Sequence, residues 1–176
     1  MKKIFVPIDF SQCSIDALKV AADITKKTGA ELHVINIYEQ PISGFAIQIS
    51  IDLKELAELK TEIKKEMRAL DEKYLKDLDA HLHIVGDSSI WELLNEKEEF
   101  ADVDLVVMGS HGASGAKEMF IGSNTQKVVQ MIDKPVLVVK DYFEINKIEN
   151  IVFASNFFKE NYKNFSTIKN IAEVFE

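Results

Sequence analysis

Cysteine is almost missing from this chain of 176 residues, because Cys13 is the only one. A single cysteine excludes an intramolecular disulfide and a metal cluster of the cysteine type. Long apolar runs are missing too, since no stretch of about 18 apolar residues exists and the opening MKKIFVPIDF turns polar at Asp9 and Ser11. We therefore expect neither a membrane-spanning helix nor a secretory signal, and we predict a cytoplasmic protein.

Clustered positive charge is also lacking. The chain has 21 Lys and Arg residues against 29 Asp and Glu, which gives a net charge of -8 and a pI near 5.1. Affinity for nucleic acid depends largely on grouped Lys and Arg side chains that release counterions. The one small basic group, Lys64, Lys65 and Arg68, is interleaved with Glu62 and Glu66 and indicates a solvated helix face. The sequence therefore predicts neither a nucleic-acid nor a membrane partner.

What the sequence does contain is a regular alternation of apolar runs and amphipathic segments. The first run, KIFVPI, is followed by capping side chains from Asp9 to Ser14 and by a helical pattern that ends at Thr28-Gly29. The same succession predicts further strands at 32–38, 82–85, 104–108 and 135–140, and helices at 52–77, 88–99 and 123–132. Strands made almost entirely of Val, Ile and Leu are typical of a parallel sheet that is covered on both faces. We predict a doubly wound α/β fold.

A glycine-containing loop follows the fourth predicted strand, in the segment VVMGSHGASGAKEMFIGSNTQKVV. Gly109 is followed by two residues, Gly112, nine residues, and Gly122-Ser123 at the start of a predicted helix. Glycine lets backbone N–H groups approach a phosphate, the helix start adds a positive dipole end, and the hydroxyls of Ser123 and Thr125 can donate as well. The alternative is an ordinary loop whose glycines only permit turns. The spacing matches neither a Walker loop nor the GxGxxG fingerprint.

The loop resembles the ATP-binding signature G-x2-G-x9-G-[ST] of the universal stress protein family. The opening IFVPIDFS, the segment HVIN and the final strand KPVLVVK are similar as well, so the resemblance covers about residues 1–140. It implies a five-stranded parallel sheet in the order 3-2-1-4-5 and a bound adenine nucleotide. That nucleotide is ATP, or ADP or AMP, with Mg2+ on the phosphates. It also implies a nucleotide-dependent regulatory protein; a slow ATPase, or a structural dimer with an empty site, are the alternatives.

The resemblance further implies which residues form the site. The acidic residue after the first strand and the backbone of the second strand hold the adenine, and these positions match Asp9 and Val34. The ribose and phosphates lie along the glycine loop. The full implied set is Pro7, Asp9, Val34, Met108, Gly109, Gly112, Gly122, Ser123, Asn124 and Thr125. For Asp9 a second role stays open, that of the N-cap of the following helix.

Histidine and lysine add little further chemistry at this stage. His111 lies in the glycine loop, but no nucleophile pattern or metal-ligand spacing accompanies it, so we predict no catalytic residue. His33, His81 and His83 are interpreted as strand residues with local hydrogen bonds, and no metal site is predicted. Lys117 either reaches a phosphate or is solvated.

Three further features have two interpretations each. Cys13 is either a redox-sensing thiol or simply a small residue. Trp91, at a predicted helix start, suits core or interface packing. The segment Gln40–Ser50 contains Pro, Gly and apolar residues and is either a loop that covers the site or a surface for a partner.

The residues after Lys140 resemble the first strand and helix of the domain. When Ile4 is set against Ile151, IFVPIDF aligns with IVFASNF, and Asn156 takes the place of Asp9. We therefore predict a nucleotide-binding domain at 1–140, a linker at 141–149, and at 150–176 the strand and helix that start a second, truncated copy of a tandem universal stress protein. The alternative is a C-terminal strand-helix extension that is specific to this chain.

The last strand of the domain, Pro135–Lys140, is a predicted contact surface. An apolar strand at the edge of a sheet presents unpaired backbone groups, and members of the family pair through this strand. The resemblance therefore implies a homodimer, together with a client protein that the sequence does not identify.

Overall fold

The computed structural model describes residues 1–39, 53–86, 88–111, 121–156, 158–159 and 161–175. The segment Gln40–Ser50, together with Gly112 and Lys117, lies outside the described residues. The predictions made for them stay predictions.

Strands and helices alternate along the chain, as the apolar pattern predicts. The strands are β1 (Lys3–Pro7), β2 (Glu31–Tyr38), β3 (Ala80–Gly86), β4 (Leu105–Gly109) and β5 (Val136–Val139). The helices are α1 (Gln12–Thr28), α2 (Leu53–Leu70, continued by a π-helical turn at Asp71–Leu75), α3 (Ile90–Glu96), α4 (Ser123–Met131) and α5 (Asn161–Phe175). Short 3-10 turns lie at Glu98–Phe100 and Ile145–Lys147. None of the described helices is long and apolar enough to cross a membrane.

The five strands form one parallel sheet in the order β3-β2-β1-β4-β5, which confirms the predicted order. In the register, Val6 of β1 lies opposite Val34 of β2, and Phe5 lies opposite Val106 of β4. The chain winds outward in one direction from β1 and in the other from β4. The carboxyl ends of these two strands therefore flank the switch point, where α/β sheets form a crevice for ligands.

Both faces of the sheet are covered, as predicted. Since side chains alternate along a strand, Ile4 and Val6 enter the cluster under α1 and α2, whereas Phe5 enters the cluster under α3 and α4. All three are 0% exposed. Burial on both faces explains why the strands read as continuous apolar runs.

Helix α1 is fixed at both ends by its caps. The Ser11 hydroxyl accepts a hydrogen bond from the Ser14 backbone N–H at the start. At the end, Gly29 has φ 68° and donates its backbone N–H to the Thr25 carbonyl at 2.8 Å. This left-handed conformation favours glycine, so the predicted helix end is confirmed.

The residues after β5 form a helix but no added strand. Ile171, Val174 and Phe175 of α5 pack against the core cluster on the α1 face, and Ile145 is buried beside them. None of the described residues from 148 to 156 lies in a strand. The backbone N–H and C=O groups of a strand need partner strands, and none of the five strands of the sheet pairs with this segment. Helix α5 therefore follows this segment, and the assignment of residues 150–176 to a second copy of the domain stays a prediction.

Candidate functional site

A cavity of about 380 Å³ opens at the carboxyl ends of β1 and β4, at the switch point of the sheet. Its volume is within the range of about 300–1,000 Å³ that is usual for small-ligand pockets. Its lining includes, from the residues implied by the resemblance, Pro7, Asp9, Met108, Gly109, Gly122, Ser123, Asn124 and Thr125. Residues that lie more than 100 positions apart in the sequence therefore meet at one end of the sheet.

Asp9 is held at the rim of the cavity by a short turn. Its Oδ1 accepts hydrogen bonds from the Ser11 backbone N–H at 3.0 Å and from the Ser11 hydroxyl at 2.6 Å. Between them, Phe10 has φ 63°, a left-handed conformation that bulky residues rarely adopt, and its partly buried ring packs on the core. Ser11 caps α1 itself, so the role of N-cap does not fall to Asp9.

Gly109 ends β4 beside the first turn of α1. A Cβ atom built at this position would lie 3.0 Å from both the carbonyl carbon and the Sγ of Cys13. The Cys13 thiol in turn donates to the Val139 carbonyl at 3.3 Å. Packing of α1 on the strand ends is therefore sufficient to explain the glycine, and the thiol has a structural contact.

The amino terminus of α4 borders the cavity. Gly122 is its N-cap and supplies no side-chain hydrogen bond, and the first turn contains no acidic residue. The Gly122 backbone N–H donates to the Ser110 carbonyl at 2.7 Å, which fixes the start of the helix. Ser123 and Asn124, the first two helical residues, line the cavity. A helix start of this kind presents backbone N–H groups and a positive dipole end to an anion.

Thr125 has a different role from the one its hydroxyl suggested. Its Oγ1 donates to the Gly109 carbonyl at 2.9 Å, and the residue is only 3% exposed. This bond joins the first turn of α4 to the end of β4. The hydroxyl therefore positions the helix, while Thr125 remains part of the cavity wall.

Strand β2 contributes to the cavity through residues next to Val34. The Val34 side chain is 0% exposed within the cluster under α1, on the opposite face of the sheet. Ile35 and Ile37 point to the other face and line the cavity, as does Met108 of β4. The alternation of side chains along a strand separates them. The part of β2 that reaches a ligand through side chains is thus Ile35 and Ile37.

The wall formed by the start of α3 was missed in the sequence. Ser88, Ser89, Ile90 and Trp91 all line the cavity. Ser89 and Glu92 form a reciprocal capping box, and hydrogen bonding with Ser89 lowers the pKa of Glu92. The pattern S-x-x-E before an apolar run is a known helix-start signal, so it locates this wall in sequence although not its neighbours in space.

Lys127 is a second residue that the sequence did not single out. It lies one turn into α4 and lines the cavity. Its Nζ lies 5.6 Å from the centre of the Trp91 ring, a cation–π distance. A positive charge is thereby held at the border between α3 and α4.

His111 belongs to the cavity wall but does not face an accessible nucleophile. Its Nδ1 lies 2.7 Å from the Ser110 hydroxyl, and Ser110 is only 7% exposed. Its Nε2 is enclosed and has no hydrogen-bond partner within the described part of the chain. The arrangement is that of a polar wall residue.

A doubly wound parallel sheet with a mixed polar and apolar cavity at its switch point defines a ligand-binding α/β domain. The model of the universal stress protein family matches residues 1–140. The chain belongs to this family, and the match ends one residue after β5.

Two curated relatives are similar over the same region. Universal stress protein YxiE of Bacillus subtilis is 32% identical over 146 residues, which cover 78% of this chain and 98% of the relative. Universal stress protein MJ0577 of Methanocaldococcus jannaschii is 33% identical over 153 residues, which cover 79% and 94%.

Solved structures share the fold. The structure of MJ0577 superposes with a TM-score of 0.60 at 27% identity and covers 81% of this chain and 97% of its own. A universal stress protein in complex with cAMP has a TM-score of 0.56 at 19% identity, covering 80% and 97%. One from Archaeoglobus fulgidus in complex with dAMP has a TM-score of 0.52 at 17% identity, covering 80% and 98%.

Proposed function

We propose that this chain binds an adenine nucleotide, ATP in the first place, in the cavity at the switch point, and that it acts in the cytoplasm as a nucleotide-dependent regulatory module. One observation carries the proposal: eight of the ten residues implied by the family signature line a single cavity. Of the other two, Val34 has its side chain on the opposite face of the sheet, so that only its backbone is available for the predicted contact, and Gly112 is outside the described residues.

The chemistry of the cavity suits the two ends of a nucleotide. Ile35, Ile37 and Met108 give one wall an apolar surface for a purine ring, and Asp9 offers a carboxylate to the amino donor of adenine. The start of α4 offers backbone N–H groups to the phosphates, with the Lys127 ammonium on the same helix. Mg2+ then accompanies the phosphate oxygens.

The complexes of two structural neighbours support the ligand class. cAMP and dAMP share the adenine base and differ at the phosphate and at the 2′-hydroxyl of the sugar. Contacts from backbone N–H groups to phosphate tolerate such differences. ATP is our first choice because the loop has the whole ATP-binding signature of the family.

The test is calorimetric titration of the purified chain with ATP and Mg2+, together with mass spectrometry of small molecules released on denaturation. We expect saturable binding to one site, weakened about tenfold or more in Asp9→Asn, because a hydrogen bond to a charged group is worth about 1.5–3 kcal/mol. The matched control is Asp133→Asn, the same change at an exposed position after α4.

Three outcomes separate the alternatives. No released nucleotide and no binding of ATP, ADP, AMP or cAMP would overturn the proposal in favour of a structural dimer. Steady release of phosphate, abolished in Gly122→Val, would favour a slow ATPase. Binding without turnover is the outcome that a regulatory module requires.

We further propose that two copies pair through β5 and that residues 150–176 begin a second copy of the domain. Strand β5 is an edge strand of the sheet, and Val136, Leu137 and Val138 keep part of their surface exposed. A charge on an edge strand opposes pairing. Sedimentation should therefore give a dimer for the native chain and a monomer for Val138→Lys; an unchanged dimer would place the contact elsewhere.

A further inference from the structure

Three of the four histidines in the chain lie together on β2 and β3, away from the proposed nucleotide cavity. His33 is the register partner of His81, and His83 follows two residues later on the same face. The ring of Phe100 packs edge-on against His33 and His83. These histidines were interpreted from the sequence as strand residues with local hydrogen bonds, and no metal site was predicted. The pairing of β2 with β3 brings His33 into contact with His83, which lies 50 positions later in the chain.

Three contacts join four side chains in a row: Glu31, His33, His83 and Glu99. His33 Nδ1 lies 3.0 Å from His83 Nε2. At one end, His33 Nε2 lies 3.5 Å from the Glu31 Oε2. At the other end, His83 Nδ1 lies 3.6 Å from the Glu99 Oε1. Two imidazoles thus stand between two carboxylates.

When both imidazoles are neutral, the array has one proton too few for its three contacts. A neutral imidazole carries one N–H proton and a carboxylate only accepts, so His33 and His83 bring two protons to three contacts. One contact is therefore always between two acceptors.

His81 supplies a third donor at the Glu31 end. Donor atoms of Glu31, His33 and His81 all lie within 4.8 Å of one another. We propose that these three residues bind a divalent transition-metal ion, zinc in the first place, and that His83 and Glu99 orient His33 toward it. The ion replaces the missing proton between His33 Nε2 and Glu31, while His33 Nδ1 donates to His83 and His83 Nδ1 faces Glu99.

The donor set and spacing suit such an ion. Imidazole nitrogen and carboxylate oxygen are normal zinc ligands at about 2.0–2.2 Å, which sets neighbouring ligand atoms in a tetrahedral site roughly 3.3–3.6 Å apart. The 3.5 Å between His33 Nε2 and Glu31 agrees with this. Three protein ligands leave one position for water.

The surroundings also resemble those of metal ligands. A ligating histidine usually donates its other ring N–H to an acceptor. His33 has His83 in that position, and Asp79 lies 3.2 Å from His81 Nε2, which would leave His81 Nδ1 for the ion. The side chains of Glu31 and His81 are 49% and 48% exposed, so the ion reaches the site from solvent, whereas His33 at 6% is the fixed member.

The experiment is a calorimetric titration of the full chain, without an affinity tag and freed of metal by a chelator, with Zn2+ alone. We expect saturable binding of about one equivalent and a rise in Tm of a few degrees, since the ion joins edge strand β3 to β2. Both effects should weaken about tenfold or more in His81→Ala and in Glu31→Gln, two half-exposed positions where the fold tolerates a change. Glu98→Gln, an exposed neighbour of Glu99, is the control of equal charge change and should bind as the native chain does.

A second measurement identifies the ligand atoms. In a long-range 1H–15N spectrum of the imidazoles, Zn2+ should shift His33 Nε2 strongly and leave His33 Nδ1 protonated. The proposal is overturned if the native chain shows no saturable zinc binding, if Glu31→Gln and His81→Ala bind as tightly as the native chain, or if zinc shifts His111 instead of His33.

Discussion

Two segments of this chain share one sequence pattern and fold differently. Phe5 and its counterpart Val152 take the same place in IFVPIDF and IVFASNF, yet Phe5 is 0% exposed within β1 and Val152 is 91% exposed outside any strand. The difference is in their neighbours: β1 lies between β2 and β4, which satisfy its backbone on both sides. An apolar pattern makes a segment able to form a strand, but the strand forms only where neighbouring strands pair with its backbone.

The helices that follow show the same contrast more weakly. Ile24 of α1 is 1% exposed beneath the sheet, whereas its counterpart Ile171 of α5 only partly enters the same cluster. Phe165, the counterpart of Leu18, is 51% exposed, and the centre of its ring lies 5.5 Å from the centre of the Phe153 ring. A helix can therefore dock on an existing domain where a strand without partners does not form.

The largest difference in stability between the two segments should appear when Phe5 and Val152 are each changed to Ala. Phe5→Ala removes a fully buried ring that contacts Phe100 edge-on at 5.2 Å, and we expect it to lower the free energy of unfolding by about 3–5 kcal/mol. Val152→Ala should change it by less than about 0.5 kcal/mol. Urea unfolding of both variants measures the difference. A loss of stability in Val152→Ala close to that of Phe5→Ala would show that residues 151–156 are packed after all.

Gly109→Ala should have the next largest effect, because it tests the contact of α1 with β4. The added methyl group meets the Cys13 backbone and Sγ at about 3.0 Å, so we expect a loss of about 1–3 kcal/mol. The double variant Cys13→Ala/Gly109→Ala should recover part of this, since Sγ is only one of the atoms met. A stable Gly109→Ala that still fails to bind nucleotide would instead indicate that the glycine serves the ligand alone.

Removal of the α1 cap comes third. Ser11→Ala deletes the hydroxyl that accepts from the Ser14 N–H, and we expect a loss of about 1 kcal/mol. It also deletes a bond to Asp9, so nucleotide affinity should fall with stability if the proposed function holds. Phe158→Ala, at the corresponding position before α5, should leave thermal unfolding unchanged, because Phe158 is 63% exposed. Equal effects of the two variants would contradict the contrast between the segments.

The last comparison sets Ile171 of α5 against Ile24 of α1. Ile171→Ala should cost less than about 1.5 kcal/mol, because its side chain is only partly removed from water, whereas Ile24→Ala should cost about 2–5 kcal/mol. Thermal unfolding of the pair gives the ratio. If both variants lose the same stability, α5 is as much a part of the core as α1.

The fold was predictable from the sequence because its signals are local. The apolar runs, the capping residues near Ser11 and the left-handed Gly29 each reported an element end, and the family resemblance supplied the strand order. The described residues 151–156 form no strand, and nothing in IVFASNF reports whether a partner strand exists.

The candidate site was predictable in part for the same reason. Gly122 and Ser123 carry a local signature and line the cavity, and their role in binding a nucleotide stays a prediction. Lys127 and Trp91 meet only through the packing of α3 against α4, and no pattern within either helix reports it. The exact register of β2 and β3, which assembles the histidines, was equally beyond the sequence.

Phe10 has a consequence for the thermodynamics of association. Its left-handed backbone is unfavourable for an aromatic residue, and burial of the ring against the core offsets that strain when the chain folds. The turn that carries Asp9 is consequently ordered by folding, so the protein would lose little conformational entropy there on binding the proposed nucleotide. Phe10→Gly would shift part of that ordering from folding to binding, and affinity for the proposed nucleotide would fall although its contacts with Asp9 stayed the same.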